Sequence, residues 1–487
     1  IFYKGKVMTC NYPIIVIGAG AGGLVVAIGA AKAGKKVLLI EKGNYGGDCT
    51  NFGCIPSKSL IAAAHVAHAL KNEKDYGIEA TISKVNYRGA LERTRRIVEE
   101  VRSHEDPAAL AKHGVETLTG TASFKDPHTL NVALDNGEIQ TVLGENIVIA
   151  TGSYPFTPDI KGIKSCPYCT NETIFDLEEI PQRLGVIGGG PIGSELAQAF
   201  QRLGSKVTII QHGVHLLSRE ELETQKVLEE VFTKEGITLL LNCEPLEANH
   251  VNGKIQIKFR PRPESVEKTI EVDHLLIAVG RRPNIEKLHL EKAGIRTHKQ
   301  GIEVDNYGRT AQKHIWAVGD VAGHAIFTHV AENEARTVLT NLLLPWPLGS
   351  KLDLAQAIPR VTYTDPEVAS VGINEEQAIV KYGKNTIASY TVPFSEVDRA
   401  ITTGRTEGLV KVVTKKWSSQ ILGATIVGPR AGEMLSQLTT AMRAKIPLRK
   451  LASLIHPYPT YSLAIRKAAD QWLSKTILPT LLKLIGK

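Results

Sequence analysis

Cys49 and Cys54 are separated by four residues in the run Gly46-Gly47-Asp48-Cys49-Thr50-Asn51-Phe52-Gly53-Cys54-Ile55-Pro56-Ser57-Lys58. Two thiols this close can take up and release two electrons by opening and closing a disulfide, with the thiolate as the reactive form. A structural disulfide or half of a zinc site would use the same residue type. No second cysteine pair stands at zinc-like spacing from this one, however. Cys166-Pro167-Tyr168-Cys169 is another close pair. It follows a loop rather than a thioredoxin-type strand and reads as a chance pair in a connector, the alternative being an auxiliary thiol pair that receives electrons or holds a metal. Cys10 and Cys243 read as incidental. His65 and His68 stand at i, i+3, the pattern of a helix surface, and no histidines are set at metal-ligand spacing.

The elements around the first pair are those of a nucleotide-binding unit. Ile14-Ile15-Val16-Ile17 is a β-branched run suited to a strand buried on both faces. The glycines Gly18, Gly20 and Gly23 follow in G-x-G-x-x-G spacing, then a helical stretch from Leu24 to Ala33, then the strand Val37 to Ile40 closed by Glu41. Such glycines let backbone approach a pyrophosphate at a helix N-terminus, and the acid accepts from a ribose hydroxyl. The unit recurs at Leu184 to Ile187, with Gly188, Gly190 and Gly193, a helix from Ser194 to Leu203 and the strand Val207 to Ile210. Here Gln211 occupies the position of the acid. A neutral amide does not repel a ribose 2′-phosphate, and His212 and Arg219 supply donors nearby, so the second site leans to NADPH over NADH. Three further strand ends complete the pattern: Ile147 to Ile149 running into Ala150-Thr151-Gly152, Leu275 to Val279 into Gly280-Arg281-Arg282-Pro283-Asn284, and Ile315 to Val318 into Gly319-Asp320, where an exposed carboxylate is expected. Two dinucleotide sites in one chain imply electron transfer between two cofactors.

The bulk numbers agree with an ordinary globular oxidoreductase. A chain of 487 residues suggests roughly three domains. The net charge is +8, but the cations are interspersed with acids, which gives a mildly basic solvated surface rather than a nucleic-acid-binding one. Six cysteines are too few for a disulfide scaffold and suit a reducing cytoplasm. No apolar run is long enough to span a bilayer. The first methionine is Met8, so a preceding segment stays open, and the first ten residues lack the features of a secretory signal. The apolar tail from Ile477 to Ile485 is expected to dock on a dimer or, alternatively, to make peripheral contact with a membrane surface.

In order and spacing these motifs, with Tyr363-Thr364-Asp365-Pro366-Glu367-Val368-Ala369-Ser370-Val371-Gly372, resemble the FAD-dependent pyridine nucleotide–disulfide oxidoreductases over residues 11–470. That family includes dihydrolipoamide dehydrogenase, glutathione reductase and mercuric reductase. The resemblance implies an α/β chain of two doubly wound, Rossmann-like dinucleotide-binding domains plus a C-terminal α+β dimerisation domain. The implied boundaries are 11–155 and 275–345 for FAD, 156–274 for NAD(P)H and 346–470 for the homodimer interface, with a tail at 471–487. It implies that Gly18, Gly20, Gly23, Glu41, Ala122, Ala150, Thr151, Gly152 and Asp320 hold FAD and that Lys58 lies near the flavin, paired with Glu195. Gly188, Gly190, Gly193, Glu195, Gln211, His212 and Gly280 would line the NADP(H) or NAD(H) site. Cys54 would be the flavin-side thiolate and Cys49 the thiol that meets the acceptor.

Family disulfide reductases end in His-Pro-Thr followed by a Glu, the acid–base pair for the substrate thiol. This chain reads Ile455-His456-Pro457-Tyr458-Pro459-Thr460-Tyr461-Ser462-Leu463. Aligned on Pro459-Thr460, Tyr458 takes the place of the His and Leu463 that of the Glu, while His456 comes two residues early. A tyrosine with a pKa of about 10 is a poor base near neutrality. Tyr458 and the Gly46-Gly47-Asp48-Cys49 run resemble mercuric reductase, which needs no base because its acceptor is a soft metal ion held by thiolates. That enzyme also carries a C-terminal cysteine pair, whereas no cysteine follows Cys243 here. The expectation is an NAD(P)H oxidoreductase passing electrons through Cys49 and Cys54 to a soft metal ion or another small oxidant. The alternatives are a dihydrolipoamide-type reductase using His456, and a transhydrogenase or redox-sensing flavoprotein that bypasses the thiols.

Overall fold

The structure, a computed structural model, describes residues 2–3, 6–7, 11–71, 73–79, 84–264, 266–345, 348–353 and 357–484. Cys10 and Ile485 lie outside the described residues.

The first parallel sheet runs in the order Val115–Thr119, Val37–Glu41, Tyr12–Ile17, Ile139–Ile149 and Ile315–Ala317. The last strand comes from far along the chain, so the polypeptide leaves this unit and returns to it. Its buried strand residues divide by alternation. Ile15, Ile17, Leu38, Ile40, Ile147 and Ile149 pack on one face, and Ile14, Val16, Val37, Leu39 and Val148 on the other. A period of two with both sides apolar is what a doubly covered parallel strand requires. The second sheet repeats the plan in the order Tyr168–Cys169, His274–Ile277, Arg183–Ile187, Lys206–Ile210 and Thr238–Leu240, all parallel. The first sheet also carries an antiparallel meander of Thr121–Asp126 and Thr129–Ala133 with Ile139–Ile149, and the second unit adds a separate three-stranded antiparallel sheet of Cys243–Val251, Lys254–Pro261 and Lys268–Val272. The third unit is an antiparallel sheet ordered Arg360–Thr362, Glu367–Gly372, Ile421–Gly428, Leu409–Lys415 and Ile387–Pro393, with the helices Ala431–Arg443 and Leu463–Trp472 packed on it. The fold is therefore two doubly wound α/β units and a C-terminal α+β unit. Among the described residues no helix is long and apolar enough to cross a membrane.

The helices after the fingerprints begin earlier than their apolar patterns indicate, at Ala21 and Pro191 rather than at Leu24 and Ser194. The third glycine of each fingerprint lies in the first helical turn because a side chain there has no room. A Cβ on Gly23 would stand 1.9 Å from the Gly18 carbonyl oxygen, and one on Gly193 would stand 1.9 Å from that of Gly188. Gly18 and Gly188 themselves adopt φ of +102° and +110°, a region that favours glycine.

Buried charges tie the units together. The Arg202 guanidinium, only 3% exposed, pairs with Glu235 at 2.6 Å in the second unit and with Asp365 at 2.9 Å in the third. Lys411, on a strand of the third sheet, pairs with Glu221 and Glu223 of the second unit at 3.2 and 2.8 Å.

Candidate active site

Cys49 sits on the short helix Gly47–Asn51, and Cys54 opens the helix Cys54–Lys71. Gly46 and Gly47 explain how this run meets the first fingerprint. The Gly46 amide donates to the Ala19 carbonyl at 2.9 Å, and a Cβ on Gly47 would lie 2.6 Å from the Gly20 Cα. The thiol-bearing helix thus abuts the dinucleotide turn, and only glycine permits the approach.

The two thiols share a hydrogen bond, Cys49 donating to Cys54. That bond is the largest influence lowering the Cys54 pKa. Burial opposes it, while the Lys58 ammonium and the Thr328 hydroxyl assist, and the result is about 6. The same bond, with burial, pushes Cys49 well up. Negative charge therefore rests on Cys54, at the N-terminus of its helix, where the backbone dipole favours it. Lys58 follows Cys54 by one turn on the same helix face. Its Nζ lies 2.7 Å from Glu195 Oε2 and 4.6 Å from the centre of the Tyr363 ring. Burial pulls the Lys58 ammonium down, but Glu195 more than offsets this and holds it protonated. Glu195 is itself buried, on the helix Pro191–Leu203, and its second oxygen accepts from the Tyr363 amide at 2.8 Å. One ion pair thus joins all three units beside the thiols.

Of the expected FAD-side residues, Gly18, Glu41, Ala122 and Thr151 line one groove, together with Gly120 and Asn284. Glu41 accepts from the Ala19 and Gly43 amides at 2.7 and 2.9 Å, and Gly20 has backbone only at 3.8 Å. A groove with a carboxylate at its edge and a glycine turn at its floor fits an adenosine diphosphate moiety. Ala150 and Gly152 flank Thr151 at the strand end. Asp320 differs from the exposed carboxylate expected. It is half-buried, accepts from the Ser153 hydroxyl at 2.5 Å and is raised by burial. The turn carrying it is fixed by Glu334, which accepts from the Gly319 amide at 2.8 Å. Arg281 donates to Ser153 Oγ at 2.8 Å and pairs with Asp48, the residue before Cys49, at 3.1 Å.

In the second unit Gln211 reproduces the geometry of Glu41. Its Oε1 accepts from the Gly189 amide at 2.8 Å, and its Nε2 donates to the His215 carbonyl. His212 and Arg219 are exposed nearby, whereas His215 is paired with Glu229. Gly190 and Gly280 leave open space where a Cβ would project.

The acceptor-side residues are held apart from this cluster within one chain. The Tyr458 hydroxyl donates to Asp398 at 3.0 Å, and His456 lies between Gln437 and the Leu454 carbonyl, both at 3.0 Å. Cys166 and Cys169 are unbridged and belong to apolar clusters on opposite faces of the second sheet, so they do not form a working pair. Cys243 is buried with its thiol on the Leu241 carbonyl, and His65 is exposed on its helix while His68 is half-buried. Sequence reasoning did not select Tyr363, Thr328, Asp48, Ser153 or Arg281 as site residues. The opposite charges of Asp48 and Arg281, each inside a recognised motif, were the available signal.

Two nucleotide folds converging on a polarised thiol pair define a dinucleotide-dependent thiol oxidoreductase. Residues 12–335 match the family described as pyridine nucleotide-disulphide oxidoreductase, and residues 358–469 match the dimerisation domain of that family. The chain belongs to this family of FAD-binding, NAD(P)H-dependent enzymes. It is 35% identical over 470 residues to the mercuric reductase of Streptomyces lividans, covering 95% of this chain and 97% of that protein. It is 36% identical over 466 residues to the dihydrolipoyl dehydrogenase of Geobacillus stearothermophilus, covering 95% and 96%. Among solved structures it resembles the Cu(II) complex of the HOCl-induced flavoprotein disulfide reductase RclA from Escherichia coli, with TM-score 0.84, 30% identity and coverage of 95% and 99%.

Proposed function

We propose that this enzyme passes electrons from NADPH through Cys49 and Cys54 to a soft or borderline metal ion, and that it is a poor reductase of organic disulfides. FAD, when bound, supplies the two-electron link between the nicotinamide and the thiol pair. Cys54 holds the charge, with Lys58 and Glu195 setting its field, and the less acidic Cys49 faces the acceptor. Both sulfurs are suitable ligands for a thiophilic ion once the pair is reduced.

The observation that carries this reading is the environment of Tyr458. Its hydrogen bond to the Asp398 carboxylate, with the charge of that group, raises a phenol that already titrates high. The site therefore lacks a tyrosine that could take a proton near neutrality. The position from which a carboxylate would orient a histidine holds Leu463, which is buried. A disulfide acceptor needs its leaving thiolate protonated, whereas a metal ion bound by thiolates does not. We expect Tyr458→His with Leu463→Glu to raise lipoamide turnover by roughly 10² to 10⁴, the usual contribution of general acid–base catalysis. Lipoamide turnover already fast in the wild type and destroyed by His456→Ala would favour the dihydrolipoamide-type reading.

For the nucleotide, Gln211 supplies the amide contact of the usual acid without its charge, and His212 and Arg219 are exposed where they could meet a 2′-phosphate. NADPH should therefore exceed NADH in kcat/KM, and a tenfold advantage for NADH would reverse the assignment. The dimerisation domain supports a homodimer. The small number of cysteines for the length of the chain suits a reducing cytoplasm.

A further inference from the structure

Cys49 sits on a helix of five residues, Gly47–Asn51. So short a helix gains little from its own backbone bonds, and its place depends on side-chain ties. Thr50 donates to Glu105 at 2.9 Å and Asn51 to the Tyr45 carbonyl at 2.9 Å, both within the first unit. The tie on Asp48 is of another kind, because its partners come from the second sheet.

The strands Tyr168–Cys169 and His274–Ile277 are parallel neighbours in that sheet. Asn171 follows the first and Arg281 the second, so both stand beyond the C-terminal ends of adjacent strands. The strand Arg281–Pro283 then pairs with Ser153–Pro155, and its alternation divides the two arginines. Arg282 lies over the Phe156 ring at 4.0 Å, while the Arg281 side chain is turned inward and only 10% exposed. The Arg281 guanidinium meets Asp48 at 3.1 Å, and it donates to Asn171 Oδ1 at 3.3 Å and to the Ser153 carbonyl at 2.9 Å. A cation so largely buried depends on such a partner. Asn171 is buried, and its side-chain amide donates to Asp48 at 3.3 Å and to the Phe52 carbonyl at 3.4 Å. Asp48 lies in the first turn of the thiol helix and Phe52 caps its end, so one amide grips both ends. Gly53 leaves room for this arrangement: a Cβ there would stand 3.1 Å from Asp48 Oδ2 and 3.2 Å from the Cys49 Cα.

We propose that Arg281 and Asn171 are positioning residues that act through Asp48: they clamp the thiol helix to the second sheet and so keep the Cys49 sulfur within hydrogen-bond reach of Cys54. The inference rests on Cys49 and Cys54 being the electron-carrying pair and is indifferent to the acceptor. The test is a pH titration of charge-transfer absorbance in the two-electron-reduced holoenzyme, with mass mapping of iodoacetamide-labelled Cys49 in the same samples. In Asp48→Asn the clamp is loosened, Cys49 donates less often, and the Cys54 thiolate loses its main support. We expect the midpoint to rise from about 6 by about 0.5 pH or more, and Cys49 to be labelled about fivefold faster. Asn171→Ala should move both readouts in the same direction. Charge alone predicts the reverse for Asp48→Asn, since removing an anion favours a thiolate. Arg281→Gln combined with Asp48→Asn should raise the midpoint no further than the larger of the two single changes, because both break one contact. A midpoint unchanged or lowered in Asp48→Asn overturns the proposal. So do additive effects of the two changes, or loss of flavin from Asp48→Asn. A wild type without the band would bring down the thiol assignment itself, and this inference with it.

Discussion

Cys54 and Cys49 differ by environment alone, and the difference is testable in solution. A thiol brought down to about 6 is a thiolate at neutral pH, so the two-electron-reduced enzyme should show long-wavelength charge-transfer absorbance above that value. The sign is fixed: the thiolate is the absorbing form, so the band is present at high pH and disappears as pH falls through about 6. Cys54→Ser should have no band at any pH, while Cys49→Ser should show it without reductant. A midpoint above 8, or the same behaviour in both variants, would contradict the assignment. The pair itself was legible in the sequence because its spacing is local, while the division of roles between the two thiols came from family resemblance alone. The partners that set their charge were not legible. Thr328 reaches the pair from a distant segment with nothing in its own neighbourhood to mark it, and Tyr363 opens a recognised motif that gives no sign of its place beside Lys58. The Lys58–Glu195 pair was legible only through family resemblance. The half-buried state of Asp320 depends on Ser153, a long-range neighbour that the strand pattern does not reveal.

The strand–turn–helix units were the most legible elements, because the demand for glycine is steric and short-range. Their helix starts were missed by three residues, since hydrophobic periodicity cannot register a turn made of glycine. That same turn gives a selective prediction. Gly23→Ala forces a Cβ to 1.9 Å from a carbonyl oxygen in the first unit, and Gly193→Ala does so in the second. The first variant should be purified with little or no flavin. The second should keep its flavin yet be reduced by NADPH at least tenfold more slowly, as measured by anaerobic absorbance. Flavin loss in both variants to the same extent would show that the two turns are not independent sites. The Cys166–Cys169 pair illustrates the opposite case. Its tetrapeptide suggests chemistry, but the strand Tyr168–Cys169 sends the two sulfurs into separate cores.

At the scale of the molecule, the second nucleotide unit and the C-terminal unit are clamped by buried ion pairs, and Glu195 links both to the thiol helix through Lys58 and Tyr363. The three-unit architecture could be read from the order of motifs, but this clamp could not. Arg202, Lys411 and their partners are separated by long stretches of chain and carry no local signature. What the sequence left open is the acceptor, because the loop bearing Tyr458 engages Asp398 within its own chain. The central claim is that the reduced thiol pair delivers electrons to a metal ion far better than to a disulfide. The direct measurement is stopped-flow reoxidation of the anaerobic NADPH-reduced enzyme by Hg(II), Cu(II), lipoamide and glutathione disulfide under identical conditions. The account predicts reoxidation by a metal ion at least a hundredfold faster than by either disulfide, with the metal reaction lost in Cys49→Ser. Lipoamide reoxidising the enzyme as fast as either metal, or metal reduction surviving the loss of Cys49, would contradict it.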